Sequence, residues 1–377
     1  MSHISLCCTL CGASHAADMT TLRCGECASP LEVRYGRAEP EGKESRPGAP
    51  TGPSVPLPMH DPTKTVSLGQ GNTPCVELAS LAGVLGIGRL FAKLEMFNPT
   101  GSFKDRGSAV MMSMANELGA IEVVEDSSGN AGASVAAYAA RAGIKVHVFA
   151  PANAPAAKIG QIKIYGAEAH LIEGSREAAT AAAVEFCAER RLVYASHNLS
   201  PYFIEGTKTF AYEVAQQLAR VPLQHLVVPV GNGSLYIGAW KGFRELQEAG
   251  YAVEMPRLHC IQSRAAMPIA AAYRGEGWSP DPDASTVAGG IAAATPPRKQ
   301  QILDVLRVTD GVALEVGDRD ILRWQRLLAD REGVYGEPTS AAALAGLEVL
   351  VLRGDVGAGD SVLVPITGSG LKDAPPA

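Results

Sequence analysis

The sequence is poor in aromatic residues, has no long uncharged apolar run and carries no excess of positive charge. Of its 377 residues, 6% are aromatic, 19% are charged and 46% are hydrophobic. Since no apolar run reaches about 18 residues, the sequence predicts no transmembrane helix and no membrane partner. The first residues lack the basic start and apolar stretch of a signal peptide, so we expect a cytoplasmic protein. The net charge of −6 disfavours nucleic acid as a partner.

The cysteines are concentrated at one end of the chain. Five of the eight lie within the first 27 residues, and two CxxC pairs, Cys8/Cys11 and Cys24/Cys27, are separated by 12 residues. Two such turns can bind one zinc ion with four thiolates, which leaves no open position for catalysis. We therefore predict a structural zinc ribbon over residues 1–35, with a disulfide pair or a metal-free ribbon as alternatives. The other three cysteines are isolated and are expected to be inert core residues.

The rest of the chain divides into a proline-rich segment and an alternating region. Residues 36–65 hold seven prolines and little apolar content, which is typical of a linker. From residue 66 onward, strand-like runs alternate with alanine-rich helical stretches such as 131–142, 176–190 and 207–219, which predicts an α/β fold with parallel sheets. The predicted strands are Leu90–Phe97, Ile121–Glu125, Lys145–Ala150, Ala169–Glu173, Leu192–Ala195, Leu226–Val230, Leu258–Gln262 and Ser361–Ile366.

Four turns that follow these strands carry candidate chemistry, because ligands of such folds bind beyond the carboxyl ends of strands. Residues 98–107 (NPTGSFKDRG) hold Lys104, whose amine becomes a nucleophile if it is partly desolvated. Residues 127–132 (SSGNAG) start a helix, where backbone N–H groups can bind a carboxylate. Residues 231–238 (GNGSLYIG) allow close approach of a phosphate to the backbone. The last turn is residues 367–373 (TGSGLKD).

The string NPTGSFKDRG resembles, residue for residue, the cofactor-lysine motif of threonine synthases, which are fold-type II pyridoxal phosphate (PLP) enzymes. The ribbon, the lysine turn, the asparagine loop, the phosphate loop and the final threonine also follow the family's order, so the resemblance covers essentially the whole chain. It implies an α/β fold of two parallel-sheet domains (the tryptophan synthase β-like fold) behind a four-cysteine zinc ribbon. Residues 66–105 and 200–377 are expected to form the large PLP-binding domain, and residues 106–199 the small domain with the asparagine loop.

The resemblance also implies roles for single residues. Lys104 would bind the cofactor covalently and act as the catalytic base, and Thr367 would face the pyridine nitrogen. A signature at 336–342 (GEPTSAA) would place Glu337 near the ring, in a role that the resemblance does not define. The remaining cofactor contacts would be Asn130, Gly231, Asn232, Gly233, Ser234 and Leu235. The substrate carboxylate would be bound by Ser127, Ser128, Gly129 and Asn130.

The sequence departs from threonine synthases where that family binds the substrate phosphate. The family carries an arginine and an asparagine at positions that are Phe203 and His197 here, and a phenyl ring cannot pair with a phosphate. Residues 289–292 (GGIA) are more similar to threonine and serine dehydratases. A rebuilt phosphate site could use Lys208, Arg298 or His197. The opposing interpretation is a solvated face for Lys208 and Arg298 and a satisfied polar role for His197.

The sequence thus predicts a PLP-dependent lyase that acts on an amino acid with a leaving group at Cβ or Cγ. Threonine synthase activity on O-phosphohomoserine is the leading prediction. Dehydratase-type β-elimination from threonine or serine and β- or γ-replacement on a specialised substrate are the alternatives. A catalytically silent PLP-binding or zinc-ribbon interaction protein is a further hypothesis, which the presence of Lys104 and Thr367 disfavours. The family leads us to expect a homodimer.

Overall fold

The computed structural model describes residues 4–36, 55–281 and 283–373, and it begins with a small antiparallel sheet. Three strands, β1 (Ile4–Cys8), β2 (Ser14–His15) and β3 (Leu31–Tyr35), pair in the order β2-β1-β3. Of the predicted proline-rich linker, residues 37–54 lie outside the described residues, and Pro62–Lys64 form a 3-10 helix.

Two further sheets follow within the described residues. The six-stranded sheet has the order β12-β11-β10-β13-β5-β4, and only β4 runs antiparallel to its neighbour. The four-stranded sheet has the order β8-β7-β6-β9 and is entirely parallel. The strands are β4 (Cys75–Glu77), β5 (Arg89–Lys93), β6 (Glu122–Glu125), β7 (Lys145–Pro151), β8 (Glu168–Ile172), β9 (Val193–Tyr194), β10 (His225–Pro229), β11 (Arg257–Ser263), β12 (Ala313–Val316) and β13 (Ser361–Pro365).

Helices cover both large sheets, which is why the central strands β10 and β13 are buried along their whole length. Short 3-10 helices lie at Glu95–Phe97, Gly289–Ile291 and Gly370–Lys372. The α-helices are α1 (Ala79–Leu85), α2 (Lys104–Glu117), α3 (Asn130–Ala142), α4 (Ala156–Ile164), α5 (Arg176–Arg190), α6 (Pro201–Thr207), α7 (Thr209–Gln217), α8 (Ser234–Glu248), α9 (Pro268–Tyr273), α10 (Lys299–Val308), α11 (Asp318–Glu332) and α12 (Pro338–Arg353).

The predicted α/β class and all eight predicted strands are confirmed, with differences at the strand ends. The strand predicted over Leu90–Phe97 ends at Lys93, and the chain turns into a 3-10 helix at Glu95. The sequence prediction missed β4 and β12, which are only three and four residues long. The helix predicted over 207–219 is interrupted at residue 208, between α6 and α7.

A buried network of charges fixes the segment that leads into α2. The Arg106 guanidinium pairs with Glu95 at 2.6 Å and with Glu213 at 2.7 Å, and Lys93 Nζ pairs with Glu213 at 2.7 Å. The side chains of Arg106, Glu95 and Lys93 are at most 1% exposed. Because Glu95 precedes the turn and Arg106 follows it, their ion pair holds together the two ends of the loop between β5 and α2.

Candidate active site

The four turns identified in the sequence meet around one cavity of about 370 Å³. Two turns follow β10 and β13 of the six-stranded sheet, and a third follows β6 of the four-stranded sheet. The fourth leads into α2, which begins at Lys104. All the residues predicted to bind cofactor or substrate line this cavity: Lys104, Ser127, Ser128, Gly129, Asn130, Gly231, Asn232, Gly233, Ser234, Leu235 and Thr367.

Lys104 presents a partly desolvated amine to this cavity. Its Nζ atom lies 4.6 Å from the ring centroid of Phe103 and 5.6 Å from that of Phe203. Burial lowers the pKa of Lys104 to about 8, opposed by the carboxyl groups of Glu125 and Glu337 and reinforced by the charge of Arg176. The amine therefore loses its proton more readily than an ordinary lysine does, and a neutral amine can act as a nucleophile or a base.

The loop Ser127–Asn130 leads from β6 into α3, and its shape depends on Gly132. A Cβ atom on Gly132 would lie 1.9 Å from the carbonyl oxygen of Ser127, so a larger residue would displace the loop. Asn130 Nδ2 donates to Glu337 Oε2 at 2.8 Å, while Asn130 Oδ1 is buried without a partner among the described residues. The free N–H groups of the first turn of α3 suit an anion such as a carboxylate.

The turn between β10 and α8 is narrow because two of its residues are glycines. Gly233 adopts φ +83°, and a Cβ atom there would lie 2.5 Å from Ile302 Cδ1. A Cβ atom on Gly231 would lie 3.0 Å from Ile291 Cα. The chain therefore enters α8 with small residues in front of its first N–H groups, an arrangement suited to a phosphate.

The turn after β13 brings Thr367 to the same cavity, next to Glu337. Thr367 Oγ1 donates to Glu337 Oε1 at 2.9 Å and lies 3.0 Å from Ser340 Oγ. Glu337, only 4% exposed, thus bridges Asn130 and Thr367 across the cavity. The sequence alone could not define this role, because it depends on two residues from different sheets.

Of the two residues that replace the expected phosphate ligands, His197 lines the cavity and Phe203 does not. Phe203 is fully buried against Gly107, whose Cβ atom would lie 2.4 Å from the ring. His197 Nδ1 lies 2.6 Å from Glu125 Oε1. Burial raises the pKa of Glu125 to about 8 and lowers the pKa of His197 well below its usual value. These two positions therefore offer no strong cation to a phosphate.

The expectation that Lys208 or Arg298 rebuilds the phosphate site is wrong, and so is the expectation that they form a solvated face. Lys208 is fully buried, and its Nζ atom pairs with Glu205 at 2.6 Å and with Glu245 at 2.9 Å. Arg298 is 2% exposed and donates to the carbonyl oxygens of Asn198, Leu199 and Leu31. Both side chains are thus bound to partners within the fold.

Sequence reasoning missed three charged residues near the cavity: Asp126 and Arg176, which line it, and the buried Glu125, which contacts His197. A second cavity of about 360 Å³ adjoins the first, and the two share Asp126, Arg176 and Asn232. Asp126 Oδ2 accepts from Thr180 Oγ1 at 2.6 Å, and Asp126 Oδ1 is buried without a hydrogen-bond partner in the described part of the chain. Glu125 and Asp126 lie at the end of β6, so the rule on strand ends could have identified them, whereas Arg176 begins α5 and follows no such rule.

The ribbon cysteines converge as their spacing predicted. Cys8 Sγ lies 3.4 Å from Cys27 Sγ, and Cys11 Sγ lies 3.6 Å from both Cys24 Sγ and Cys27 Sγ. Four thiolates around one zinc ion at about 2.3 Å would have sulfur separations similar to these. Cys7 Sγ lies 3.3 Å from the carbonyl oxygen of Gly12, outside the group, which resolves the choice between Cys7 and Cys8 as a member of the cluster.

The three isolated cysteines have the properties of inert residues. Burial raises the pKa of Cys75 to about 11 and that of Cys187 to about 12, and it also raises the pKa of Cys260. Because the thiolate is the reactive form, these thiols are poor nucleophiles at neutral pH.

Comparisons with known proteins agree with this geometry. The family described as "Pyridoxal-phosphate dependent enzyme" matches residues 66–368. The threonine synthase of Methanocaldococcus jannaschii is 36% identical over 97% of this chain and 92% of its own length. The threonine synthase of Bacillus sp. (strain ULM1) is 38% identical over 84% of this chain and 88% of its own.

A solved structure extends the comparison to the fold. The processed form of threonine deaminase isoform 2 from Solanum lycopersicum superposes with a TM-score of 0.70 at 21% identity, over 82% of this chain and 81% of that one. At this identity the likeness concerns the fold alone.

Among the described residues, none of the helices is both long and apolar enough to cross a membrane.

Proposed function

The chain belongs to the family of pyridoxal-phosphate dependent enzymes, and on this premise we propose that it is a threonine synthase-type lyase that converts O-phosphohomoserine to threonine. The observation that carries the proposal is the convergence of Lys104, the Ser127–Asn130 loop, the Gly231–Leu235 turn and Thr367 on one cavity. Threonine synthases related to this chain over nearly its whole length support the choice of reaction.

The residues present fit PLP on three observations. The Lys104 amine is buried at the cavity wall with a lowered pKa, as covalent attachment to an aldehyde requires. The narrow glycine turn before α8 suits the phosphate. Asn130, whose Oδ1 is buried and unpaired among the described residues, and Thr367 line this cavity, so polar groups are available to the cofactor ring. When bound, PLP would supply an electron-withdrawing ring that stabilises negative charge at the substrate Cα.

The chain's own residues would divide the remaining work. The first turn of α3 would bind the substrate carboxylate and orient the Cα–H bond. Lys104 Nζ, neutral near its pKa of about 8, would take the Cα proton as general base and later return a proton. Phe103 and Phe203 would exclude water around this amine. Thr367 would place a hydroxyl, which is not an acid, against the ring nitrogen, and this favours elimination and replacement over transamination.

A second candidate is elimination or replacement without phosphate. Phe203 occupies the position of the family's arginine, and the dehydratase-like segment Gly289–Ile291 lines the cavity. Both features favour a substrate such as serine or threonine, or a specialised amino acid.

A substrate panel on purified PLP-loaded protein separates these candidates. It contains O-phosphohomoserine, threonine, serine, O-phosphoserine and O-acetylserine, and phosphate, keto acid and new amino acid are measured separately. Phosphate and threonine from O-phosphohomoserine support the proposal. Keto acid from serine or threonine without phosphate release supports the second candidate.

We also propose zinc in the ribbon, with Cys8, Cys11, Cys24 and Cys27 as ligands. The large domain of residues 66–105 and 200–377, the small domain of residues 106–199, a cytoplasmic location and a homodimer stay predictions from the sequence. In this proposal the ribbon supports the larger fold through β3. Lys241 Nζ of α8 donates to the carbonyl oxygen of Val33 at 2.7 Å, and the Tyr35 hydroxyl donates to Glu205 of α6 at 2.5 Å.

Replacing Cys24 and Cys27 by serine is expected to lower the zinc content from about one ion per chain to none, because thiolates supply all the ligands. We expect the melting temperature to fall, since β3 would lose its support against α6 and α8, while covalent cofactor binding persists at 25 °C. Metal analysis and thermal unfolding provide the measurements. Cys7→Ser is the matched control and should retain zinc. Full zinc content in the double variant would contradict the assignment.

A further inference from the structure

Arg176 lies at the boundary between the two adjoining cavities. It is the first residue of α5, in the turn that follows β8, and it lines both the cavity that contains Lys104 and the neighbouring cavity of about 360 Å³. The side chain therefore borders the same cavity as the Ser127–Asn130 loop, at which the substrate carboxylate would bind.

The Arg176 guanidinium is a free cation at this place. It makes no hydrogen bond or ion pair with any residue of the described ranges. Two other cations of these cavities are already engaged, since Lys158 pairs with Asp373 at 2.5 Å and Arg23 donates to the carbonyl oxygen of Ala28 at 3.0 Å. A half-buried arginine without a partner is a ready site for an anion, because its fork of donors matches carboxylate and phosphate oxygens.

The positive charge of Arg176 affects the pKa values of Lys104 and His197. Burial is the main cause of the lowered pKa of Lys104 and of His197, and the positive charge of Arg176 lowers both further. Arg176 also lines the same cavity as Lys104, although it begins the helix that follows β8, an edge strand of the four-stranded sheet. Phe203, in contrast, is fully buried and does not line this cavity, and it carries no charge.

We propose that Arg176 binds the distal anionic group of the substrate, a phosphate in the proposed reaction, and so performs from α5 the task that Phe203 cannot perform from α6. Asn232 lines both cavities beside Arg176 and would add an amide donor. The identification of the anion as a phosphate rests on the proposed function, whereas the inference that Arg176 binds an anion does not.

Asp126 leads to a second expected effect on anion binding, opposite in sign to that of Arg176. Asp126 also lines both cavities, and its buried Oδ1 has no hydrogen-bond partner in the described part of the chain, so its negative charge opposes an anion at this boundary. Removing Arg176 should weaken anion binding, and removing the charge of Asp126 should strengthen it. A merely structural role of Arg176 would not produce these opposite effects.

The test titrates the holoenzyme with inorganic phosphate by calorimetry and by the absorbance of the bound cofactor. Bound PLP already fills the site for its own phosphate, so the titration reports the second anion site. We expect about 10- to 100-fold weaker phosphate binding in Arg176→Gln, partial recovery in Arg176→Lys and tighter binding in Asp126→Asn. Arg190→Gln, at the other end of α5, is the matched control and should bind phosphate as the unaltered protein does.

Unchanged phosphate affinity in Arg176→Gln would overturn the inference. A steady-state assay with O-phosphohomoserine separates this failure from failure of the proposed function. If the unaltered protein releases phosphate and Arg176→Gln keeps the same KM, the inference fails and the function stands. If the unaltered protein does not act on O-phosphohomoserine but its phosphate affinity depends on Arg176, the function fails and the inference holds for another anionic substrate.

Discussion

Replacing Lys104 by alanine is expected to abolish covalent cofactor binding and to lower turnover by about 1,000-fold or more, because one amine would serve as both attachment point and general base. The structure supports both tasks, since Nζ lies beside two aromatic rings and burial lowers its pKa to about 8. Borohydride reduction followed by peptide mass analysis measures the attachment directly. The unaltered protein should carry the mass of the reduced cofactor on the peptide that contains Lys104.

Lys158→Ala is the matched control for this experiment. Lys158 lines the same cavity but pairs with Asp373. The control variant should therefore keep the covalent cofactor. Retention of the reduced cofactor by Lys104→Ala, or its appearance on Lys158 in the unaltered protein, would show that the assignment of Lys104 is wrong.

Replacing Arg106 by leucine is expected to destabilise the folded protein by about 3–5 kcal/mol, because it leaves the Glu95 and Glu213 carboxylates without their main partner in a buried place. Burial by itself would raise the pKa of Glu213, but the hydrogen bonds and charge of Arg106, together with the charge of Lys93, hold it at about 2. Loss of Arg106 would therefore also loosen the turn that positions Lys104.

Urea unfolding followed by circular dichroism measures this effect. Arg89→Leu is the control, because Arg89 pairs with Glu77 at 2.7 Å on the surface, where both side chains are more than 40% exposed. An exposed pair of this kind contributes about 0–1 kcal/mol. Equal midpoints for the two variants would contradict the view that the Arg106 network holds the turn.

The sequence predicted the parts of this protein that depend on local pattern. The eight predicted strands and the helix over 176–190 were found because their apolar runs and flanking turns are determined by neighbouring residues. The strand predicted through Phe97 was too long, since the turn at Glu95 depends on a charge pair with Arg106, eleven residues away. The edge strand β4 has only three residues, which are too few to form a recognisable pattern.

The same distinction applies to the candidate site. Lys104, Asn130 and Thr367 were singled out because each stands in a turn after a strand whose residues resemble a family motif, and the structure places all three at one cavity. Lys208 and Arg298 were misjudged because their partners, among them Glu245 and Leu31, are distant in sequence. Arg176 was overlooked because an arginine at a helix start carries no pattern. Its significance depends on which cavity it lines and on the partner it lacks, and both are properties of the folded chain.

The most direct test of the central claim is the product analysis of PLP-loaded protein with O-phosphohomoserine as the only substrate. The account predicts release of inorganic phosphate and threonine in equal amounts, with no such products from Lys104→Ala. Absence of phosphate release, together with keto acid formation from serine or threonine, would contradict the account and identify a dehydratase-type enzyme on the same site.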